Sequence, residues 1–280
     1  MPADRSFSSE VLTVERDEDV ATLWLDRAEA RNAMGPSFFS DLPHAVAELS
    51  NDPAVRAVVI AARGPHFSVG LDLKALPSML ADDDAEGRPS TAARARAARL
   101  DVLRLQGAVN AVADCPKPIV ACVHGYCIGG GVDLIAACDI RLASADAVFS
   151  VREAKIAIVA DLGSLQRLPA IIGLGHVAEL AYTGKDMGAG RAKEIGLVND
   201  VLPDADAALG AAQALAAEIA ANSPLAVQGT KQVLMAANRR SVAEGLEYVA
   251  TWNAGMIASH DLGEALAAFL ERRQPKFTGG

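Results

Sequence analysis

Three carboxylates, Asp133, Glu153 and Asp161, lie within and behind the glycine-rich stretch Gly125-Tyr-Cys-Ile-Gly129-Gly130-Gly131-Val-Asp133. Consecutive glycines let a backbone approach a ligand closely and bare its amide N–H groups. Carboxylates in an otherwise apolar stretch are suited to moving protons. Together they fit a site that takes a proton from beside a carbonyl and stabilises the enolate that forms. Singly, each acid has an ordinary explanation: Asp133 could cap the helix after the glycines, and Glu153 could end a strand at the surface. Asp161 is harder to place outside, because Ile156-Ala-Ile-Val-Ala160 precedes it and Leu162 follows, and an acid is seldom buried without a role.

The elements that must hold these residues are legible from periodicity. Residues 11–16 and 20–26 read as a hairpin turned by Asp17-Glu-Asp19, followed by a helix over 37–49 and an apolar strand over 57–62. Pro65 to Lys74 reads as a turn into a short helix. The order then repeats, with a strand over 118–123, a loop through the glycines and a helix over 132–138. A further strand pair, 140–144 and 147–151, leads to Glu153, and Pro169 and Gly173 punctuate short helices. Between the two copies an acidic, breaker-rich loop over 81–89 precedes an Arg- and Ala-rich helix over 92–112, a loop placed to gate a pocket. Repeated strand–loop–helix units predict a layered or spiral α/β core over residues 1–204.

From residue 205 the pattern is helical only, over 205–222, 225–237, 242–258 and 262–273, with Asp204 placed to cap the first helix. This predicts a C-terminal helical subdomain, 205–280, whose Ala-rich faces pack against another subunit.

A net charge of −9 argues against nucleic acid or an anionic membrane as the main partner. No basic-then-apolar pattern opens the sequence and no run of about 18 apolar residues occurs, which predicts a soluble, cytoplasmic protein. Cys115, Cys122, Cys127 and Cys138 lack the paired spacing of a zinc site and sit among apolar residues, so reduced core thiols are expected. His44, His66, His124, His176 and His260 show no ligand spacing either, and no metal is expected. Gly173-Leu-Gly175 imitates a dinucleotide fingerprint but follows a helical stretch instead of a strand.

Phe67-Ser-Val-Gly-Leu-Asp-Leu-Lys74 and Gly125-Tyr-Cys-Ile-Gly-Gly-Gly-Val-Asp133, about 60 residues apart, resemble the paired motifs of the crotonase (enoyl-CoA hydratase/isomerase) superfamily. The likeness runs from Arg31-Asn-Ala-Met34 to Phe269-Leu-Glu-Arg-Arg273. It implies a crotonase-like spiral of β-β-α units with C-terminal trimerisation helices, and a homotrimer or a hexamer made of two trimers. It also implies an oxyanion hole for a thioester oxygen, built from the N–H groups of Leu71 and Gly130. Within the superfamily, Gly-Gly-Gly-Val-Asp133, Val151-Arg-Glu153 and Ala160-Asp161-Leu-Gly-Ser-Leu-Gln-Arg-Leu-Pro169 resemble Δ3,5-Δ2,4-dienoyl-CoA isomerases. Hydratases typically carry glutamates at the first two acid positions and no acid at the third.

That resemblance implies Asp161 as the base at C2 of a 3,5-dienoyl thioester and Glu153 as the proton donor at C6, with Asp133 beside them. The coenzyme belongs to the substrate, so no separate cofactor is implied. Its contacts, and those of the acyl thioester, fall to Asn32, Ala33, Ser68, Val69, Gly70, Lys74, Gly131, Phe269 and Arg272, the last two reaching in from a neighbouring subunit. Two alternatives stand beside the isomerase: a 2-enoyl-CoA hydratase or other crotonase-type isomerase, and a non-catalytic acyl-CoA-binding protein.

Overall fold

The structure, a computed structural model, describes residues 4–75, 90–236, 258–273 and 275, with residues 243–244, 246–247, 250–251 and 254–255 between them. The loop expected over 81–89 and about half of the helix expected over 242–258 lie outside the described residues.

A seven-stranded sheet carries the chain. Strands β1 (Asp4–Ser8), β2 (Leu12–Asp17) and β3 (Val20–Leu25) pair antiparallel along one edge. From β3 onward the sheet is parallel, through β4 (Ala57–Ala62), β5 (Ile119–Val123), β7 (Ile140–Ser144) and β10 (Asp200–Leu202). Every residue of β4 and β5 is buried, which is why both read as unbroken apolar runs without alternation. A second sheet of three strands sits beyond the glycine loop: β6 (Tyr126–Ile128), β8 (Val148–Ser150) and β9 (Met187–Gly188).

This second sheet corrects two expectations. Residues 126–128 fold as a strand instead of open loop, because β8 offers them a parallel partner from Tyr126↔Val148 to Ile128↔Ser150. The strands expected as one pair at 140–144 and 147–151 are divided between the two sheets. The short helix expected after Pro65 is absent among the described residues; Leu71 instead bridges to Met34 and a turn follows.

Helices cover both faces of the large sheet. On one, α1 (Pro36–Asn51) places Phe38, Phe39, Leu42, Val46 and Leu49 in the core. Beside it α2 (Thr91–Asp114), capped by Ser90 through the Ala93 amide at 3.2 Å, contributes Ala108, Val109 and Val112. On the other face lies α7 (Ala205–Ala220), whose N-terminus is capped by Asp204 through the Ala207 amide at 2.8 Å. Ala208, Ala212, Ala216 and Ala220 recur every fourth residue, form one stripe and pack on Trp24, Val59, Val120 and Leu142. The small side chains let the helix approach the strands closely.

The Ala-rich face expected to meet another subunit is therefore a layer of this chain's own core, and the division at 204/205 passes through packed structure. Helix α8 (Pro224–Ala236) is also tied down, by buried Lys231: its Nζ donates to Asp139 Oδ2 at 2.7 Å and to the Lys117 carbonyl at 3.0 Å. The same Asp139 oxygen accepts the Ile119 amide at 2.8 Å. Removing either partner of such a pair leaves an uncompensated charge, at a cost of about 3–5 kcal/mol.

Candidate active site

Parallel β4 and β5 are neighbours, so the loops that leave their carboxyl ends emerge side by side. Backbone bonds join them: Phe67 N–H to His124 O at 2.9 Å, Ser68 N–H to Tyr126 O at 2.9 Å, and Ile128 N–H to Ser68 O at 3.0 Å. Met34 pins the far end of the first loop, donating to Gly70 O at 2.8 Å and accepting from Asp72 N at 3.0 Å. In a parallel bridge of this kind the flanking residues carry the bonds, so the Leu71 N–H is turned to the other side.

Gly129 (φ +52°) turns the second loop into α3 (Gly130–Ala136), and Gly130 supplies the first helical amide. That amide has no acceptor within its own helix and shares its positive end. Among the described residues, neither the Leu71 nor the Gly130 N–H donates to a backbone carbonyl. A Cβ on Gly130 would sit 3.0 Å from Met34 Sδ and 3.9 Å from Leu162 Cδ1, so the turn has an apolar cover.

The acids gather beside this pair of loops. Asp133, in the first turn of α3, is 1% exposed and accepts the Ser164 backbone N–H on Oδ1 at 2.5 Å. Burial raises its pKa to about 7, the Ser164 N–H pulls it back, and the charge of Asp161 pushes it further up. Glu153 opens a single 310 turn, Glu153–Ile156, that ends at Ala157 in the left-handed region. Its Oε2 is covered and has no hydrogen-bond partner, and its Oε1 lies 3.2 Å from where a Gly129 Cβ would stand. Burial first, and the Asp133 charge second, raise its pKa to about 8, with Asp161 adding to the rise.

Asp161 sits in the segment between that turn and α4 (Ser164–Ile172), which α5 (Leu174–Thr183) and α6 (Ala189–Glu194) follow. Its charge acts on both other acids. The three carboxylates expected to act together are thus brought within electrostatic reach, with Glu153 against the same glycine that shapes the amide pair.

Two of the residues expected at the substrate, Asn32 and Ser68, have their side chains committed within the chain. Asn32 is buried with its side chain fully engaged: Oδ1 accepts the Arg27 amide at 2.9 Å, and Nδ2 donates to Arg63 O and His66 O, both at 2.9 Å. Ser68 is buried as well, donating to Asn32 O at 2.7 Å and accepting from Gly70 N at 3.1 Å. Both side chains brace the loop from Arg63 to Gly70. Gly131 is buried against Ser68, whose Cβ lies 3.3 Å from a built Cβ. Ala33 and Val69 are partly exposed and Lys74 is exposed.

Phe269 and Arg272 belong to α9 (His260–Glu271) and its C-cap, and Phe269 is 51% exposed. Helix α9 packs against the Glu153–Ile156 turn of its own chain, so within one subunit it already forms a wall beside Glu153.

Other supporting residues had no role of their own assigned from the sequence. Gln106 is 2% exposed on α2 and donates to Asp161 O at 2.7 Å and to Leu246 O at 3.2 Å. Arg167 donates to Leu162 O at 3.2 Å and to Asn110 Oδ1 at 2.5 Å. Arg27 reaches Asp72, next to Leu71, at 2.9 Å. Polar residues in an Arg-rich helix read as solvated, and only their partners in space reveal the inward face.

Two open grooves lie elsewhere: one of about 830 Å³ beside Phe7, His44 and Leu49, the other of about 480 Å³ beside Glu15 and Gln213. Neither is lined by the glycine loops or by Asp133, Glu153 or Asp161. All four cysteines are buried and free, and burial pushes the Cys122 and Cys138 thiols to about 12. Among the described residues no group of three or more His, Cys, Asp or Glu could hold a metal ion, and no helix is long and apolar enough to cross a membrane.

A spiral α/β core that sets two glycine-loop amides beside acids defines a class of fold found in solved structures. An enoyl-CoA hydratase/isomerase from Pseudoalteromonas atlantica superposes with a TM-score of 0.81 at 26% identity, covering 96% of this chain and 100% of that one. One from Mycobacterium paratuberculosis gives 0.81 at 29% identity, covering 92% and 98%. The enoyl-CoA hydratase/isomerase family model matches residues 15–280, and the chain belongs to that family.

Its relatives include the peroxisomal Δ(3,5)-Δ(2,4)-dienoyl-CoA isomerase of Arabidopsis thaliana, 41% identical over 96% of both chains. The mitochondrial enzyme of that name from Homo sapiens is 42% identical over 98% of this chain and 82% of its own. A probable enoyl-CoA hydratase of Mycobacterium tuberculosis is 33% identical over 96% and 98%. The protein is an enzyme of this hydratase/isomerase family, which sets aside the non-catalytic alternative. The organelles in the isomerases' names overturn the expectation of a cytoplasmic protein.

Proposed function

We propose that the protein isomerises 3,5-dienoyl-CoA to 2,4-dienoyl-CoA. The observation that carries this is the state of Glu153: a covered carboxyl with an unpartnered Oε2 and a pKa near 8. It holds its proton at neutral pH and stands beside a second acid, Asp161. Two proton-transfer groups of opposite starting state are what a shift across several carbons requires.

In this assignment the Asp161 carboxylate takes a proton from C2, and the electron pair spreads through the diene to the thioester oxygen. The Leu71 and Gly130 amides meet that oxygen as charge develops; loss of one such donor costs about 3–4 kcal/mol in other enzymes. Glu153 then gives its proton to C6, the thioester carbonyl re-forms and the double bonds rest at C2 and C4. Asp161 now holds a proton and Glu153 is ionised, so one net proton transfer between them resets the site. Asp133, fixed by Ser164, keeps a further carboxyl beside them and raises the proton affinity of Glu153.

The coenzyme belongs to the substrate and no further cofactor is required. Lys74 is assigned to its phosphates, with Ala33 near its adenine end and Phe269 and Arg272 completing the site from a neighbouring subunit. A homotrimer, or two stacked trimers, is the proposed assembly. It is supported by the exposed apolar Val233, Leu234 and Leu270 of α8 and α9, and light scattering at three or six chain masses tests it.

A second assignment, 2-enoyl-CoA hydration, is favoured by the relative named a probable hydratase. Hydration needs two carboxylates holding one water, and Asp133 is shorter than glutamate and occupied by the Ser164 amide. Incubation with 3,5-dienoyl-CoA and, separately, 2-enoyl-CoA decides between them. A rise in the longer-wavelength absorbance of a diene conjugated with the thioester carbonyl with the first, and little loss of enoyl absorbance with the second, is expected; the reverse makes the protein a hydratase.

A further inference from the structure

The segment that carries Asp161 has no regular structure of its own, and yet its carboxyl must be placed to within a fraction of an ångström for proton transfer. Three contacts hold it from outside. Gln106 on α2 takes the Asp161 carbonyl at 2.7 Å. Asn110, one turn further along the same face of α2, takes Arg167 Nη2 at 2.5 Å, and Arg167 Nη1 reaches back to the Leu162 carbonyl at 3.2 Å. From the other side the Ser164 amide is held by Asp133 at 2.5 Å. Four consecutive residues, Asp161 to Ser164, thus lie between α2 and α3.

The guanidinium reaches Leu162 only because residue 163 is glycine. A Cβ there would stand 1.7 Å from Arg167 Nη1, and its φ of +124° is one that other residues rarely adopt. Gly163 therefore provides both the backbone turn and the space for the cation. The groups facing Arg167 are Asp133 of α3, Asp114 at the end of α2 and the Cys138 thiol beyond α3. Its positive charge also lowers the proton affinity of Asp133. No hydrogen bond joins Arg167 to any of the three site carboxylates among the described bonds, so it acts on them as a charge at one remove.

We propose that Arg167 is a positioning residue for the acid cluster, clamping the Asp161 segment to α2 through Leu162 and Asn110 with its positive charge set beside Asp133. This rests on the isomerase assignment, in which Asp161 must start ionised while Glu153 keeps its proton. Gln106 is the second jaw of the clamp. Its other bond, to Leu246 O at 3.2 Å, ties the same point to the C-terminal part of the chain.

The test pairs steady-state kinetics of Arg167→Met and Arg167→Lys on 3,5-dienoyl-CoA from pH 5 to 10 with carbon-13 NMR titration of the aspartate carboxyls in ligand-free protein. Arg167→Met should lower kcat on the order of 10²-fold while KM stays within about threefold. The Asp133 carboxyl midpoint should rise by on the order of one pH unit. Arg167→Lys should restore the midpoint but only part of kcat, because an ammonium lacks the planar fork that spans Leu162 O and Asn110 Oδ1.

A folded Arg167→Met with unchanged kcat and midpoint overturns the proposal, and so does a kcat loss that only tracks the folded fraction in thermal melts. Full rescue of kcat by lysine overturns the clamp. If Arg167→Met does not fold, Asn110→Ala carries the test, with about tenfold lower kcat at unchanged KM expected and unchanged kcat contradicting it. If the wild-type protein does not isomerise the diene at all, the functional assignment fails by itself, and the carboxyl titration still decides the electrostatic role of Arg167.

Discussion

Gly70 and Gly130 approach so closely that a Cβ added to Gly70 would stand 3.2 Å from the Gly130 nitrogen and 2.6 Å from Ile128 O. The two proposed oxyanion donors, Leu71 and Gly130, therefore owe their spacing to a residue without a side chain. Gly70 also has φ +82°, so alanine there is strained as well as crowded. Gly70→Ala should lower kcat by about 10²–10³-fold and reduce thermal stability. Gly107→Ala makes the control: Gly107 is exposed within α2 and nothing lies within 4 Å of its built Cβ. It should gain about 0.5–1 kcal/mol of stability with unchanged kcat. Equal kcat in wild type and a folded Gly70→Ala would remove these amides from the mechanism.

In the proposed isomerisation Glu153 must be protonated to serve C6, and its pKa is about 8. The kcat/KM for the diene should hold to about pH 8 and fall above it, losing roughly tenfold per pH unit. Glu153→Gln should abolish the reaction at every pH, since an amide cannot deliver that proton. A profile that rises through pH 8 would mean that ionised Glu153 is the working form, as a base.

Raised carboxyl pKa values have a second consequence, for stability. Unfolded, Asp133 and Glu153 titrate near 4; folded, they titrate near 7 and 8. Between those limits the folded chain binds more protons than the unfolded chain, so stability falls as pH rises from about 4 to about 8. Asp133→Asn, whose carbonyl can still accept the Ser164 N–H, should remove part of that slope and raise Tm at pH 8 by on the order of 5 °C. An unchanged Tm-against-pH slope in this variant would show that Asp133 is ionised in the folded protein.

Lys74→Ala should raise KM more than it lowers kcat, because a contact to the remote coenzyme phosphates contributes mainly uniform binding. Stopped-flow binding with single-turnover rates separates the two. A larger loss in kcat than in affinity would place Lys74 nearer the chemistry.

Where one physical cause dominates, the sequence is a good guide. Buried parallel strands favour unbroken apolar runs, and 57–62 folds over the residues expected, as does 140–144 although it carries buried Arg141 and Ser144. Asp204 caps the helix it precedes. Alanine is ambiguous, because the stripe at 208, 212, 216 and 220 suits a subunit contact as well as the underside of a sheet, and only the sheet's position decides. Asn32 shows the same limit: polar and next to a binding motif, it is spent on three backbone groups of this chain. The three acids could be found because they stand out among apolar neighbours, whereas Gln106 and Arg167 sit among other polar residues and are identified only by what lies opposite them.

In the proposed assignment Asp161 is the acid that distinguishes isomerisation from hydration, and Asp161→Asn tests that assignment most directly. The substitution keeps size and hydrogen bonding but removes the basic carboxylate. Measured by diene absorbance, kcat on 3,5-dienoyl-CoA should fall by about 10²–10⁴-fold, with coenzyme A affinity unchanged and any residual 2-enoyl-CoA hydration, which would rest on Asp133 and Glu153, much less affected. Near-normal diene isomerisation by Asp161→Asn, together with loss of hydration in Glu153→Gln, would contradict the assignment and make the protein a hydratase.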